Sequence, residues 1–212
     1  FRTARPQELI RFGADFTDLN AQIYSQGREQ TLRAVLFAGR RPRQIFIGGV
    51  KQRSAAALEG LLTTVLFCPE ELQVLKGGAA GRRKLIDVAL CQLRPGYARA
   101  LGEYQRLLDS KSRILKDYHD APQMLEPLPE FNYRMAQVGA ILIGYRAQYL
   151  KALSAAAGEY HREFSGGGET LSLSYKTVST VPDAFAPRQT VFEQILQHQE
   201  SHYRAELDSG QC

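Results

Sequence analysis

Short alternating runs of apolar and polar residues fill the first third of the chain. Apolar side chains recur at every second position in four runs: Leu19–Ile23, Leu32–Leu36, Ile45–Ile47 and Val65–Phe67. A period of two is typical of β-strands, because successive side chains of a strand point to opposite faces of the sheet. Gln26-Gly27 and Gly39-Arg40-Arg41-Pro42 supply turn residues between the runs. The pattern therefore predicts an antiparallel meander with arginines at its turns.

A helical period replaces the alternation after Phe67. Pro69-Glu70-Glu71 is typical of the first turn of a short helix, because proline and acidic residues favour the helix N-terminus, and Lys76-Gly77-Gly78 ends it. A second helix is predicted from about Ala80 to Leu93, where Arg94-Pro95-Gly96 breaks the chain.

Two heptad seams follow, separated by a proline-rich loop. The first comprises Tyr97, Leu101, Tyr104, Leu108, Lys111, Leu115 and Tyr118, and the second comprises Phe131, Met135, Val138, Leu142, Tyr145, Tyr149, Ala152 and Ala156. The helix that carries the second seam is predicted from about Leu128 to Phe164, which at 1.5 Å per residue spans roughly 55 Å. Such a pair predicts an antiparallel, coiled-coil-like arm. The alternative is two core helices of an ordinary bundle.

The remaining chain predicts a return to the sheet. Gly166-Gly167-Gly168 ends the arm, alternating Leu171, Leu173 and Tyr175 predict a strand, and a last helix is predicted from about Arg188 to Leu207. Because strands are predicted on both sides of the helical arm, we expect an α+β fold with the arm inserted. Residues 1–78 would form the sheet lobe, 79–165 the arm, and 166–212 a strand and helix returning to the lobe.

Charge is distributed unevenly along the 212 residues. The total net charge is +5. Residues 1–60 carry +5, residues 61–125 carry +3, and residues 126–212 carry −3. No acidic residue lies between Glu29 and Glu59, a stretch whose cations are Arg33, Arg40, Arg41, Arg43, Lys51 and Arg53. Such a cluster favours binding of a polyanion such as DNA. The alternative is a solvated surface loop with ordinary arginines.

Patterns for other chemistry are incomplete. The order G-x-x-x-x-G-K-S/T of a phosphate loop is absent, and the glycines after Ser165 follow a helix, which predicts a helix C-cap. His198 and His202 have the spacing of two zinc ligands but lack the H-E-x-x-H order, so a structural role is favoured and no metal site is predicted. The three cysteines lack C-x-x-C pairing and suit reduced thiols in a cytoplasm, and no run is long and apolar enough to cross a membrane.

Several blocks along the whole chain together resemble the RecF family of bacterial repair ATPases. They are Phe1-Arg2-Thr3 with Glu8–Gly13, Phe67–Leu72, Leu75–Gly78, Arg82-Arg83, Leu85-Ile86-Asp87, Pro95-Gly96-Tyr97, Ala140–Leu150, His161, and Gly167–Tyr175. Two positions depart from the family pattern: Asn132-Tyr133 stands where the family has Trp-Asp, and Ser110-Lys111-Ser112 where it has Gln-Arg-Asn.

The resemblance implies a fold and a function. It implies the antiparallel meander of an SMC/ABC-like ATPase lobe with the helical arm inserted, as an internal part of a protein whose Walker A motif precedes Phe1 and whose signature and Walker B motifs follow Cys212. It implies DNA binding at single-strand gaps by a nucleotide-dependent homodimer, ATP and Mg as cofactors of the whole protein but none held by this part, and RecO and RecR as partners in loading RecA.

The resemblance also implies roles for single residues. Arg2 matches the arginine loop that reaches nucleotide phosphates in the SMC ATPases, or it forms an ion pair between lobes. Arg82 and Arg83 match paired arginines that either contact phosphate or pair with Asp87 and Glu70. With the cluster above, the candidate DNA-binding set is Arg40, Arg41, Arg43, Lys51, Arg53, Lys76, Arg82 and Arg83. The competing hypothesis is a coiled-coil adaptor that does not bind DNA.

Overall fold

The computed structural model describes residues 5–66 and 76–210. The chain divides into two compact units, Phe1–Glu71 and Leu72–Cys212. The first is built on a β-sheet and the second on helices. Arg2 and the short helix predicted at Pro69-Glu70-Glu71 lie outside the described residues.

The sheet of the first unit is a four-stranded antiparallel meander in the order β1-β2-β3-β4, as predicted. Its strands are β1 (Phe16–Ser25), β2 (Arg28–Phe37), β3 (Gln44–Ile47) and β4 (Val50–Gln52). Short 3-10 helices precede it at Pro6–Leu9 and follow it at Ala55–Leu58. Leu32, Leu36 and Ile45 are buried, which anchors the two central strands.

Tight hairpins set the register of the sheet. Gln26 and Gly27, both with positive φ (54° and 77°), join β1 to β2, and Gly48 and Gly49 join β3 to β4 in the same way. Two consecutive residues with positive φ make a turn whose twist matches that of the strands. The strand predicted over Val65–Phe67 does not form at its described residues: Val65 and Leu66 are exposed and in no strand. Phe67 lies outside the described residues.

Four helices follow in the described part of the second unit. They are α1 (Ala79–Leu93), α2 (Pro95–Asp117), α3 (Leu128–Phe164) and α4 (Arg188–Ser209), with a 3-10 turn at Pro122–Leu125. The predicted bounds of α3 are confirmed, and those of α1 and α4 agree within two residues. Among the described residues, no helix combines the length and apolar character needed to cross a membrane.

The helices α2 and α3 run antiparallel. Arg146 of α3 bonds to Tyr97 near the start of α2, Arg134 bonds to Glu103 further along, and Leu128 packs against Leu115 near the end of α2. Successive residues of α2 therefore contact progressively earlier residues of α3. This antiparallel arrangement is the one predicted from the two seams.

A third helix covers this pair, which the prediction of a two-helix arm did not include. Ile195 of α4 packs on the Ala136 and Ala140 side of α3, and Leu207 packs near Leu115. The polar seam position, Lys111, is 1% exposed and forms a 2.7 Å ion pair with Glu206 of α4. The seam therefore faces two helices, as in a bundle.

The strand predicted at Leu171, Leu173 and Tyr175 is wrong. Residues 169–178 are in neither a helix nor a strand, because no neighbouring strand pairs with them among the described residues. This segment instead lies on α3, where the Leu173 N–H donates to Ser154 Oγ at 2.8 Å. The division into lobes at residues 78 and 165 concerns a whole ATPase and stays a prediction.

Candidate nucleic-acid interface

The loop between β2 and β3 carries three arginines at one end of the sheet. Arg40, Arg41 and Arg43 are all exposed, and they border a cavity of about 320 Å³ with Pro6, Gln7, Leu36, Phe37, Gly39 and Pro42. Within the described residues none of the three takes part in an ion pair. Their charges are therefore available to an anion.

The aromatic side chain at the end of β2 orients one of these arginines. The Arg41 guanidinium lies 4.2 Å from the centroid of the Phe37 ring. A cation over a ring face is attracted by the ring quadrupole, by about 0.5–1 kcal/mol at an exposed site. This contact holds the guanidinium against the cavity and leaves its N–H groups without an acidic partner.

Arg53 lies at the same end of the sheet, and Lys51 precedes it by two residues in β4, opposite Phe46 of β3. Gln52 of β4 pairs with Ile45 of β3, so Arg53 comes next to Gln44, where the arginine loop joins β3. Both side chains are exposed. Together with the three loop arginines they form what we call the basic end of the sheet: Arg40, Arg41, Arg43, Lys51 and Arg53.

Arg33, although part of the same acid-free stretch, is neutralised. Its Nη2 lies 2.6 Å from Asp18 Oδ2 on β1, and its Nε donates to the same carboxylate. The hydrogen bonds from Arg33 lower the pKa of Asp18 and, together with the charge of Arg33, outweigh the opposing effect of desolvation. A bidentate pair of this kind supports the sheet rather than a phosphate.

The other predicted cations lie in the second unit. Lys76, Arg82 and Arg83 are exposed, and Arg82 Nη1 donates to the Gly77 carbonyl at 2.7 Å. Asp87, one of the two acids considered for these arginines, is engaged elsewhere, and Glu70 lies outside the described residues. The eight candidate residues thus fall into five on the sheet unit and three on the helical unit.

The pairing of Asp87 was not predicted. Arg146 of α3 donates from Nε and Nη2 to the two Asp87 oxygens at 3.0 Å each, and Nε also lies 2.9 Å from the Tyr97 hydroxyl, which itself bonds Asp87. Burial, and then the hydrogen bond to Asp87, raise the pKa of Tyr97. For Arg146, burial alone would lower the pKa. The hydrogen bond with Tyr175 and the electrostatic attraction of Tyr97, Tyr175 and Asp87 outweigh burial and raise the pKa.

This cluster joins α1, α2, α3 and the segment of residues 169–178 through one arginine. All four residues belong to blocks that carry the family resemblance, which was the available signal for it. The group is partly buried, with 16% of the Arg146 side chain exposed, and its charges are satisfied internally. Its geometry fits the positioning of helices rather than ligand binding.

The histidine pair has no further metal ligands grouped with it among the described residues. Within residues 5–66 and 76–210, no group of three or more potential ligands is close enough to hold an ion. His202 Nδ1 lies 2.9 Å from the His198 carbonyl, and Glu206 is occupied by Lys111. Burial, and then the charge of His202, lower the pKa of His198. The structural role favoured from the sequence fits these contacts.

The glycine-rich segment is a helix C-cap, as predicted. Gly166 and Gly167 have positive φ (60° and 83°), and the Gly167 N–H donates to the Arg162 carbonyl at 2.8 Å. The C-terminus of a helix carries the negative end of the macrodipole, which disfavours phosphate. Neither this segment nor Gly77 provides the cradle that a nucleotide requires.

Comparison with solved structures defines the fold. Two structures of the recombination mediator protein RecF in the RecFOR pathway, one with ATPrS and one with ATP, match the whole chain with TM-scores of 0.88 and 0.87. Sequence identity is 22% and 23%, and the match covers 56% of each of those chains. The mixed helix and sheet architecture is therefore that of the RecF ATPase-like fold.

Curated relatives agree on the family. The protein from Symbiobacterium thermophilum is 33% identical over 192 residues, covering 90% of this chain and 50% of the relative. That from Staphylococcus haemolyticus is 28% identical over 212 residues, covering 100% of this chain and 57% of the relative. Both are described as DNA replication and repair protein RecF. No protein-family model matches the chain.

The chain belongs to the RecF family. It spans about half the length of the curated relatives that it matches.

Proposed function

We propose that this chain is the DNA-binding, non-catalytic central part of a RecF-type recombination mediator. In this role it contacts DNA at single-strand gaps, at junctions of single and double strands, and assists RecO and RecR in loading RecA. The observation that carries the proposal is the basic end of the sheet, where five exposed cations lie within one small unit without an ion pair among the described residues.

Phosphate recognition follows from the chemistry of these side chains. Guanidinium groups bind phosphate oxygens through two parallel N–H bonds, and a lysine adds a point charge. Arg41 is already oriented by Phe37, so less side-chain freedom is lost on binding. Lys76, Arg82 and Arg83 form a separate set of exposed cations on the helical unit, and we propose that they also contact phosphates.

Nucleotide binding belongs to the family, since the solved RecF structures carry ATP or ATPrS. The described residues of this chain do not fit a phosphate cradle, so no step of our proposal passes through a nucleotide. We assign the ATP and Mg sites to other parts of the full protein. Arg2 of this chain would reach the phosphates bound there, and the homodimer would form at that site.

Charge reversal on the loop tests the proposal. We expect Arg40→Glu, Arg41→Glu and Arg43→Glu combined to weaken DNA binding at least tenfold, measured by fluorescence anisotropy with a gapped oligonucleotide. The matched control reverses Arg99, Arg106 and Arg113, three exposed arginines spaced seven apart on α2. Equal losses in the two triple variants would point to net charge alone and contradict the assignment.

The second candidate function is a protein adaptor without DNA binding. It is favoured by the 37-residue length of α3 and by the core that α2 and α4 form along it. Under this hypothesis the unaltered chain does not bind DNA. The loop triple variant then folds normally and shows no change in DNA affinity.

A further inference from the structure

An exposed aromatic ring lies beside the arginine loop of the sheet unit. Phe16, the first residue of β1, is directly opposite Phe37, the last residue of β2, and the two ring centroids are 6.4 Å apart. Residues directly opposite each other on antiparallel strands point to the same face of the sheet. Phe37 is half-buried, whereas Phe16 is 54% exposed. One ring is therefore packed, and the other keeps much of its surface open to solvent.

The arginine loop continues directly from this pair of rings. The Ala38 N–H donates to the Asp15 carbonyl at 2.9 Å, so the hydrogen bonds between β1 and β2 extend one residue beyond the rings. Phe37 contacts the Phe16 ring and also the Arg41 guanidinium, which lies 4.2 Å from its centroid. The open ring and the cation are therefore two contacts apart at one end of one unit.

The charge at this end stays positive after the nearby acids are counted. Of the described residues that line the loop cavity, three are arginines and none is acidic. Asp18, two residues from Phe16 on the same face, is paired with Arg33. Four residues in the segment before β1 cancel one another in charge: Arg5, Glu8, Arg11 and Asp15. The surplus is therefore the charge of the three loop arginines.

An open ring beside surplus cations fits an unpaired nucleotide. Every base has a π-face, so any base can stack on an aromatic side chain, and proteins that bind single strands combine such rings with cations that follow the backbone. In a duplex the bases stack on one another and present only their edges in the grooves. A ring at the protein surface therefore reaches the face of a base only where the strand is unpaired.

We propose that Phe16 stacks against one unpaired base of a single-strand gap while Arg40, Arg41 and Arg43 bind the phosphates that flank that base. This inference rests on the proposed function, because it takes the loop arginines as phosphate ligands. It adds the side chain that distinguishes an unpaired strand from a duplex. Stacking of this kind detects an unpaired base without reading its identity.

Two DNA probes test the base contact with the unaltered 212-residue chain. Both are duplexes with the same short gap; the unpaired nucleotides carry thymine in one probe and are abasic in the other, so the phosphates are equal in number. We expect fluorescence anisotropy to show at least fivefold weaker binding of the abasic probe, the loss expected for one base–aromatic stack. Equal affinities for the two probes would overturn the proposal, and this comparison needs no variant to fold.

Matched variants assign the contact to one ring. Phe16→Ala should weaken binding of the thymine probe at least fivefold without changing that of the abasic probe, and Phe16→Tyr, which keeps a ring, should bind both normally. Tyr24→Ala is the control, because Tyr24 is 75% exposed at the other end of β1, roughly 27 Å along the strand. Equal losses in Phe16→Ala and Tyr24→Ala, or equal losses on both probes, would mean that Phe16 supports the sheet and not a base.

The failure of this inference is distinguishable from the failure of DNA binding. Reversing Arg40, Arg41 and Arg43 should weaken both gapped probes and a fully paired duplex. If it does so while the unaltered chain binds the thymine and abasic probes equally, the arginines contact DNA and base stacking is refuted. If the unaltered chain binds none of the three DNAs, both proposals fail. Binding of thymidine monophosphate as tight as that of the thymine probe would assign the site to a free nucleotide and would also refute the stacking of a DNA base.

Discussion

Removing Lys111 should destabilise the helical unit more than any surface change. The Lys111 side chain is 1% exposed and its ammonium nitrogen lies 2.7 Å from Glu206 Oε1, and the Glu206 side chain is 14% exposed. Lys111→Met leaves that carboxylate buried beside an apolar side chain. Breaking a buried pair by removing one partner costs about 3–5 kcal/mol. Replacing both partners with apolar residues of similar volume is often neutral or stabilising.

The expected order of stability is therefore unusual. Lys111→Met should lower the free energy of unfolding by about 3–5 kcal/mol, whereas Lys111→Met combined with Glu206→Leu should recover most of the loss. Urea unfolding followed by far-UV circular dichroism measures both values. The single change corresponds to a fall in Tm of roughly 10–17 °C for a unit of this size. If the double variant is less stable than the single one, the pair is not the isolated buried contact described.

Three further changes test other parts of the structure. Because His198 has a lowered pKa when folded, the unfolded chain binds its proton first, so stability should fall as pH drops below about 6.5; His198→Gln should flatten that dependence in pH-resolved urea melts. Arg146→Lys should cost about 1–3 kcal/mol, because an ammonium group cannot hold both Asp87 oxygens and the Tyr97 hydroxyl; unchanged stability would deny the cluster its role. Gly27→Ala, at a φ of 77°, should cost about 1 kcal/mol in the sheet unit, and a neutral result would exclude the hairpin turn.

The sequence predicted elements well where local signals mark their ends. Prolines before Leu128 and glycines after Phe164 bracket α3, and Gln26-Gly27 marks the first hairpin. The prediction of a return strand failed for a physical reason. The alternation at Leu171 and Leu173 indicates which side chains are buried, but a strand also needs a neighbouring strand to which its backbone can hydrogen-bond. Heptad spacing likewise shows a buried seam without giving the number of helices that cover it.

The candidate site was predicted in part. Arginines in a glycine- and proline-containing turn are expected to be exposed, as Arg40, Arg41 and Arg43 are. The separation of Arg82 and Arg83 from the sheet unit depends on tertiary folding. The pairing of Asp87 with Arg146 joins residues 59 positions apart. The family-resemblance blocks contain both residues, but nothing in the sequence indicates that the two are partners.

The dependence of DNA affinity on salt tests the central claim most directly. If all five cations of the basic end neutralise phosphates, the logarithm of the association constant falls with the logarithm of salt concentration with a slope of about −4.5 on duplex DNA. Reversing Arg40, Arg41 and Arg43 should bring that slope to about −2 or closer to zero, while reversing Arg99, Arg106 and Arg113 leaves it unchanged. A slope near zero in the unaltered chain, or one that the loop variant does not change, would contradict DNA binding at this surface.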